Sequence, residues 1–188
     1  MKLLNVGGGP IRDLPAHYKG WTQDLLDIDE NVKPDILHDA RKMGSLPPGG
    51  YDAVFCSHNL EHFHKHEVDG VLRGFGHVLK KGGFAEIIVP DMQRLFEMVV
   101  DRDIDDVWYM AGPNPITFHD VIYGWGLYIS RDNQHYCHKT GFSEKSLAKA
   151  LTKAGFAKVF TARDGMGNLQ AFAFVGSPTK AQRRSLGL

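Results

Sequence analysis

Three consecutive glycines, Gly7-Gly8-Gly9, end an apolar run that begins only at Leu3. A buried parallel strand running into a tight turn has this form, because only glycine takes positive φ without a Cβ penalty. A turn without side chains also lets a ligand lie directly against the backbone. A second apolar run, Trp21 to Ile28, carries Asp27 twenty residues after Gly7. That separation suits a nucleoside site, with a glycine turn for close approach and a carboxylate on the neighbouring strand tip to accept from ribose hydroxyls.

The chain around this feature is 188 residues long, enough to bury a core without staples. Lys plus Arg and Asp plus Glu number 22 each, so the formal net charge is zero. Nothing in that balance points to nucleic acid or an anionic membrane as a partner. Cys56 and Cys137 do not form a disulfide framework, which fits a reducing, cytoplasmic setting. The opening residues reach Asn5 and Gly7 too soon to build a signal-peptide core, and no apolar run approaches membrane-spanning length.

Taken in order, the chain reads as α/β. Strands are expected at Leu3–Val6, Trp21–Asp29, Lys33–Asp39 and Tyr51–Ser57. The connections after the first two are too short for full helical crossovers, so flanking helices on one side should be reduced, leaving an apolar face in need of cover. An amphipathic helix follows, with Val68, Val71, Leu72, Phe75, Val78 and Leu79 on one face, and a fifth strand spans Phe84–Val89. Residues 91–140, rich in Asp, His, Tyr, Trp and Pro, read as an insertion over the strand tips, with short helices at Arg94–Val100 and Thr117–Tyr123. Ser143 caps a helix that Gly155 ends, and Ala157–Ala162 with Leu169–Val175 form a closing antiparallel hairpin. A single domain is expected over 1–176, with a loose polar tail at 177–188.

These residues together resemble the class I S-adenosylmethionine-dependent methyltransferases, in particular their small type-11-like group. The likeness covers roughly residues 1–90 well and 141–176 more loosely. It implies a Rossmann-like, mostly parallel seven-stranded sheet ending in an antiparallel hairpin, with S-adenosyl-L-methionine as cofactor. Asn5-Val6-Gly7-Gly8-Gly9 matches the family's first motif, in which the turn wraps the cofactor, and Leu26-Asp27-Ile28-Asp29 matches the acid that holds the ribose. His38-Asp39-Ala40-Arg41 is similar to the segment whose acid and following backbone read the adenine. The resemblance assigns Ser57, His58 and His62, in the run into Leu60-Glu61-His62, to the methionine end. Val78-Leu79-Lys80-Lys81-Gly82-Gly83 matches the turn before strand five, with Lys81 in place of proline. Position 5 is Asn where many members carry an acid.

Methyl transfer is an in-line displacement whose activation lies in the sulfonium, so the protein mainly positions the acceptor and removes a proton when one must leave. His58, just beyond strand four, is the leading base candidate, and His135 is a second. His58, His62 and His66 would share a face on a helix and could ligate a metal, but only Glu61 and Glu67 stand by to complete a set, so no metal site is expected. Trp108, Tyr109, Trp125 and Tyr128 are candidates to line a pocket for a small-molecule acceptor. A nicotinamide dehydrogenase would need a third glycine where Arg12 stands. The other alternative is a catalytically silent, methyltransferase-like partner subunit, and the bare sheet face leaves room for a homodimer.

Overall fold

The computed structural model describes residues 1–10 and 12–188. Its centre is β1 (Lys2–Val6), four of whose five residues are buried. β1 lies between β2 (Thr22–Asp27) and β4 (Tyr51–Ser57), and it pairs with both in parallel. β3 (Ile36–Leu37) extends one edge. β5 (Leu79–Pro90) runs parallel to β4, and the hairpin of β8 (Lys158–Arg163) and β9 (Asn168–Phe174) closes the other edge. The seven-stranded order is β3-β2-β1-β4-β5-β9-β8, and β9 runs antiparallel to both its neighbours. The expected mostly parallel sheet with a terminal hairpin is therefore present.

The sheet's two faces are covered differently. On one, α1 (Val68–Val78) and α5 (Glu144–Lys153) pack with the 40–45 turn against β1, β4, β5 and β9, burying Leu72, Phe75, Leu147 and Leu151 completely. α1 forms because its apolar residues recur at helical spacing. α5 starts at a Ser143–Ser146 capping box, and Gly155, at φ 105°, lies just beyond its end. On the other face the described residues of the connections after β1 and β2 hold only single 3-10 turns, Ala16–Tyr18 and Glu30–Val32. The reduced helices are thus present as expected, but the face is not bare. Tyr18 and Trp21 pack over Phe55 and Phe84, and Leu186 and Leu188 join the same cluster.

Those two leucines belong to the 177–188 tail, which carries a short helix. α6 (Lys180–Ser185) begins at a Thr179–Gln182 capping box, and Gln182 Nε2 donates to the Gly82 carbonyl at 2.8 Å. The tail covers apolar sheet surface that the missing crossover helices leave open. These residues cover part of the sheet face on which the sequence left room for a homodimer. Glu86, fully buried on that face, is held by His17 Nε2 at 2.8 Å and by Gln170 Nε2 at 2.6 Å.

Residues 91–140 carry α2 (Met92–Val99), α3 (Phe118–Tyr123) and α4 (Gly126–Ile129). They also hold a hairpin of β6 (Val107–Ala111) and β7 (Asn114–Thr117), which the sequence reading did not anticipate. Asp120 organises this region. Its carboxylate accepts from Thr117 N, Thr117 Oγ1 and Gly126 N at 2.8–3.0 Å. Among the described residues no helix is long and apolar enough to cross a membrane.

Candidate functional site

The strand tips of β1, β2 and β4 open on one side into a crevice lined by Gly7, Gly9, Asp27, Ile28, Asp39, Ala40, His58 and His62. His135, Tyr136 and Lys139 of the insertion close it from above. The glycine turn is built for two different reasons. A Cβ on Gly7, at φ 68°, would stand 2.1 Å from the Asn59 side chain, so that residue must be glycine for the protein's own packing. Gly9, at φ 59°, has open space where a Cβ would be, and is the part of the turn free to meet a ligand.

Asp27 ties that turn to the second strand. Its Oδ2 accepts from Gly9 N at 3.2 Å and its Oδ1 from Asp29 N at 3.0 Å. A carboxylate offers about four acceptor sites, so roughly two remain for other donors. Asp39 is differently placed. Its oxygens accept from Arg41 N, Nε and Nη2 at 2.8–3.0 Å, and Arg41 also reaches Glu67 at 3.0 Å. The Arg41 guanidinium holds the Asp39 and Glu67 carboxyls below their usual values.

Three residues expected at the cofactor do not line the crevice. Asn5 is buried and donates through Nδ2 to Gln23 Oε1 at 2.8 Å. Gly8 backs onto the Asn5 amide, and Ser57 pairs within the sheet with Ile88. Conversely, Asn59, Phe63 and Glu67 line it without having been assigned to the cofactor.

His58 leaves β4 with φ 48°, a left-handed conformation uncommon outside glycine, which turns the chain sharply at the strand tip. Its Nδ1 lies 3.5 Å from Glu61 Oε1, a charge contact rather than a hydrogen bond. Burial pushes the imidazole pKa down, but Glu61, with a further contribution from Asp164, outweighs that and leaves it raised. The shared helical face expected for His58, His62 and His66 does not exist. Leu60–His62 is one 3-10 turn and α1 begins only at Val68. His62 instead meets His138 at a ring separation of 4.8 Å, and His64 stacks on His66.

A second cavity lies beyond His58 and His62. Trp108, Tyr109, Trp125, Asp120 and His138 line it, together with Tyr136 and the Met166–Asn168 turn. Gly167, at φ 91°, packs under Trp108, whose ring atoms would stand 2.2 Å from a Cβ there. Tyr128 lies outside this wall and stacks on Tyr136 at 4.3 Å. His58, His62 and Tyr136 belong to both cavities, which therefore adjoin at the tip of β4.

A family described as a methyltransferase domain matches residues 1–160. The chain belongs to that family. A search of curated proteins finds no match to the sequence. Among solved structures, the methyltransferase domain is similar to an S-adenosylmethionine-dependent methyltransferase from Archaeoglobus fulgidus, at 16% identity and TM-score 0.59, over 92% of this chain and 85% of that one. It is also similar to the 1,6-didemethyltoxoflavin-N1-methyltransferase of Burkholderia thailandensis, whose structure holds S-adenosylhomocysteine. There the identity is 17% and the TM-score 0.57, over 94% of this chain and 71% of that one. A possible exported protein from Bordetella parapertussis matches at 16% identity and TM-score 0.58, over 93% of this chain, which spans only 62% of that protein. At these identities the likeness is one of fold, and the methyltransferase sheet topology is common ground.

Proposed function

We propose that this chain is an S-adenosylmethionine-dependent methyltransferase that holds its cofactor in the crevice and a small polar acceptor in the second cavity. The observation that carries the reading is the wall common to the two spaces, formed by His58, His62 and Tyr136. Methyl transfer needs two ligands meeting end to end, and adjoining cavities at one strand tip supply that arrangement.

The glycine turn and Asp27 fit an adenosyl group. Gly9 has no side chain to exclude it, and Asp27 keeps acceptor capacity for ribose hydroxyls. Lys139 lines the same crevice and has no ion-pair partner among the described residues, which suits a ligand carboxylate. When bound, S-adenosylmethionine supplies an activated methyl group. The protein's part is to orient the acceptor against the aromatic wall and to take its proton as the new bond forms. His58, at the junction, is the candidate base, and His135 stands on the crevice side. The aromatic lining favours a small organic acceptor. Two free cysteines agree with action in a reducing, cytoplasmic compartment.

Calorimetric titration with S-adenosylmethionine, S-adenosylhomocysteine and NAD tests the reading. Binding of the first two and not the third is expected, followed by methyl transfer to members of a panel of small phenols, thiols and amines. Preference for NAD, or no binding, would overturn it. Cofactor binding with no turnover on any acceptor would favour the silent partner subunit.

A further inference from the structure

The least explained group in the molecule is the Glu61 carboxylate. It is 1% exposed, and neither oxygen has a hydrogen-bond partner among the described residues. A buried carboxylate in that state is costly unless a cation faces it. Three imidazoles surround it: His58, whose Nδ1 lies 3.5 Å from Oε1, His62 from the same 3-10 turn, and His138 from the far end of the insertion. The insertion is pinned there by its backbone, since Lys139 N and Thr140 N both donate to the Glu61 carbonyl, at 2.8 and 3.1 Å.

His62 and His138 are prepared alike. His62 Nδ1 lies 3.0 Å from the Cys137 carbonyl, and His138 Nδ1 lies 2.9 Å from the Val121 carbonyl. A carbonyl only accepts, so each Nδ1 carries the hydrogen and each Nε2 is left with a free lone pair. Backbone anchoring of one ring nitrogen is how metal-binding histidines are oriented. From these observations we propose that Glu61, His62 and His138 form a three-ligand site for a divalent transition-metal ion of the zinc type.

The donor set of two imidazoles and one carboxylate matches that ion class, and three protein ligands leave a coordination position open. One ligand atom from each residue lies within 4.8 Å of the other two. Ligands at ~2.0–2.2 Å from a tetrahedral ion stand ~3.3–3.6 Å apart, so closing the site takes shifts of about an ångström. His62 and His138 both line the second cavity, so the open position would face whatever binds there. The ion would neutralise the buried carboxylate and join the insertion to the tip of β4. The site is separate from the glycine turn, and its occupancy is read without cofactor or acceptor.

The test uses the whole chain, stripped with chelator and titrated with zinc chloride, with cobalt chloride as spectroscopic probe. One ion per chain is expected, with the d–d absorption of a four- or five-coordinate cobalt centre. His138→Ala and Glu61→Gln should each weaken binding at least ~10-fold. A His64→Ala/His66→Ala double variant, which removes the exposed stacked pair, should bind as the parent does. Wild-type protein that takes up no stoichiometric metal would overturn the proposal, whatever the variants do. So would metal retained by His138→Ala and lost from the double variant.

Discussion

Two aspartates that look equivalent in the sequence, Asp27 and Asp39, differ in how much of each carboxylate is already engaged. Asp27 accepts two backbone amides and keeps capacity for a ligand, whereas Asp39 is gripped by Arg41 through backbone and guanidinium. Asp27→Ala should therefore weaken S-adenosylhomocysteine binding by more than about tenfold, the scale of charged hydrogen bonds, and Asp39→Ala by less. Calorimetry checks both, and an unchanged affinity for Asp27→Ala would remove the ribose assignment. The Arg41 grip has a consequence for pH. Asp39 and Glu67 have folded pKa values below their ordinary ones, so their contribution to stability is present above those ordinary values and is lost as pH falls through the depressed ones. Melting temperature should drop on acidification below about pH 4, and Arg41→Met should flatten that dependence. Asn59 and His138 were not assigned from the sequence to the places they occupy. Each depends on chain segments meeting that no local pattern records, Asn59 over Gly7 and His138 beside His62.

The strands of the first half and α1 were legible at the scale of elements, because unbroken apolar runs and a clean helical stripe leave few alternatives. The β6–β7 hairpin was not, although Gly112-Pro113 marks its turn. Its strands carry exposed Val107, Tyr109 and Met110, so no regular alternation announces them. α6 was hidden for a related reason. Its docking rests on Leu186 and Leu188, which pack against a cluster whose members, Phe55, Phe84 and Tyr18 among them, are distant in sequence. Leu186→Ser should lower unfolding free energy by about 1 kcal/mol, as measured by denaturant titration, because it removes a partly buried side chain from that cluster. No change would mean that the helix is not part of the cooperative fold. Within the insertion, Asp120→Ala removes the Thr117 capping box and the Gly126 contact at once. A loss of about 1–2 kcal/mol is expected, with faster amide exchange concentrated in residues 114–130.

The whole molecule is a sheet whose two halves do different work. The parallel half, from β3 to β5, presents the glycine turn, Asp27 and His58 at neighbouring tips, and the antiparallel hairpin of β8 and β9 supports the insertion through Gly167 under Trp108. The topology and the family were within reach of the sequence because the motifs fall in a fixed order along the chain. The second cavity was legible only in part: Trp108, Tyr109 and Trp125 stood out as acceptor-pocket candidates, but its outline exists only where the insertion folds back over the strand tips. On the proposed reading, an adenosyl group lies between the glycine turn and Asp27, with its sulfur end toward His58. A crystal structure of the S-adenosylhomocysteine complex tests this most directly. Density for the ribose at Asp27, the base beside Ala40 and the sulfur next to the second cavity is the predicted result. Ligand bound elsewhere, or a crevice that stays closed by Tyr136 and Lys139 at saturating ligand, would contradict it.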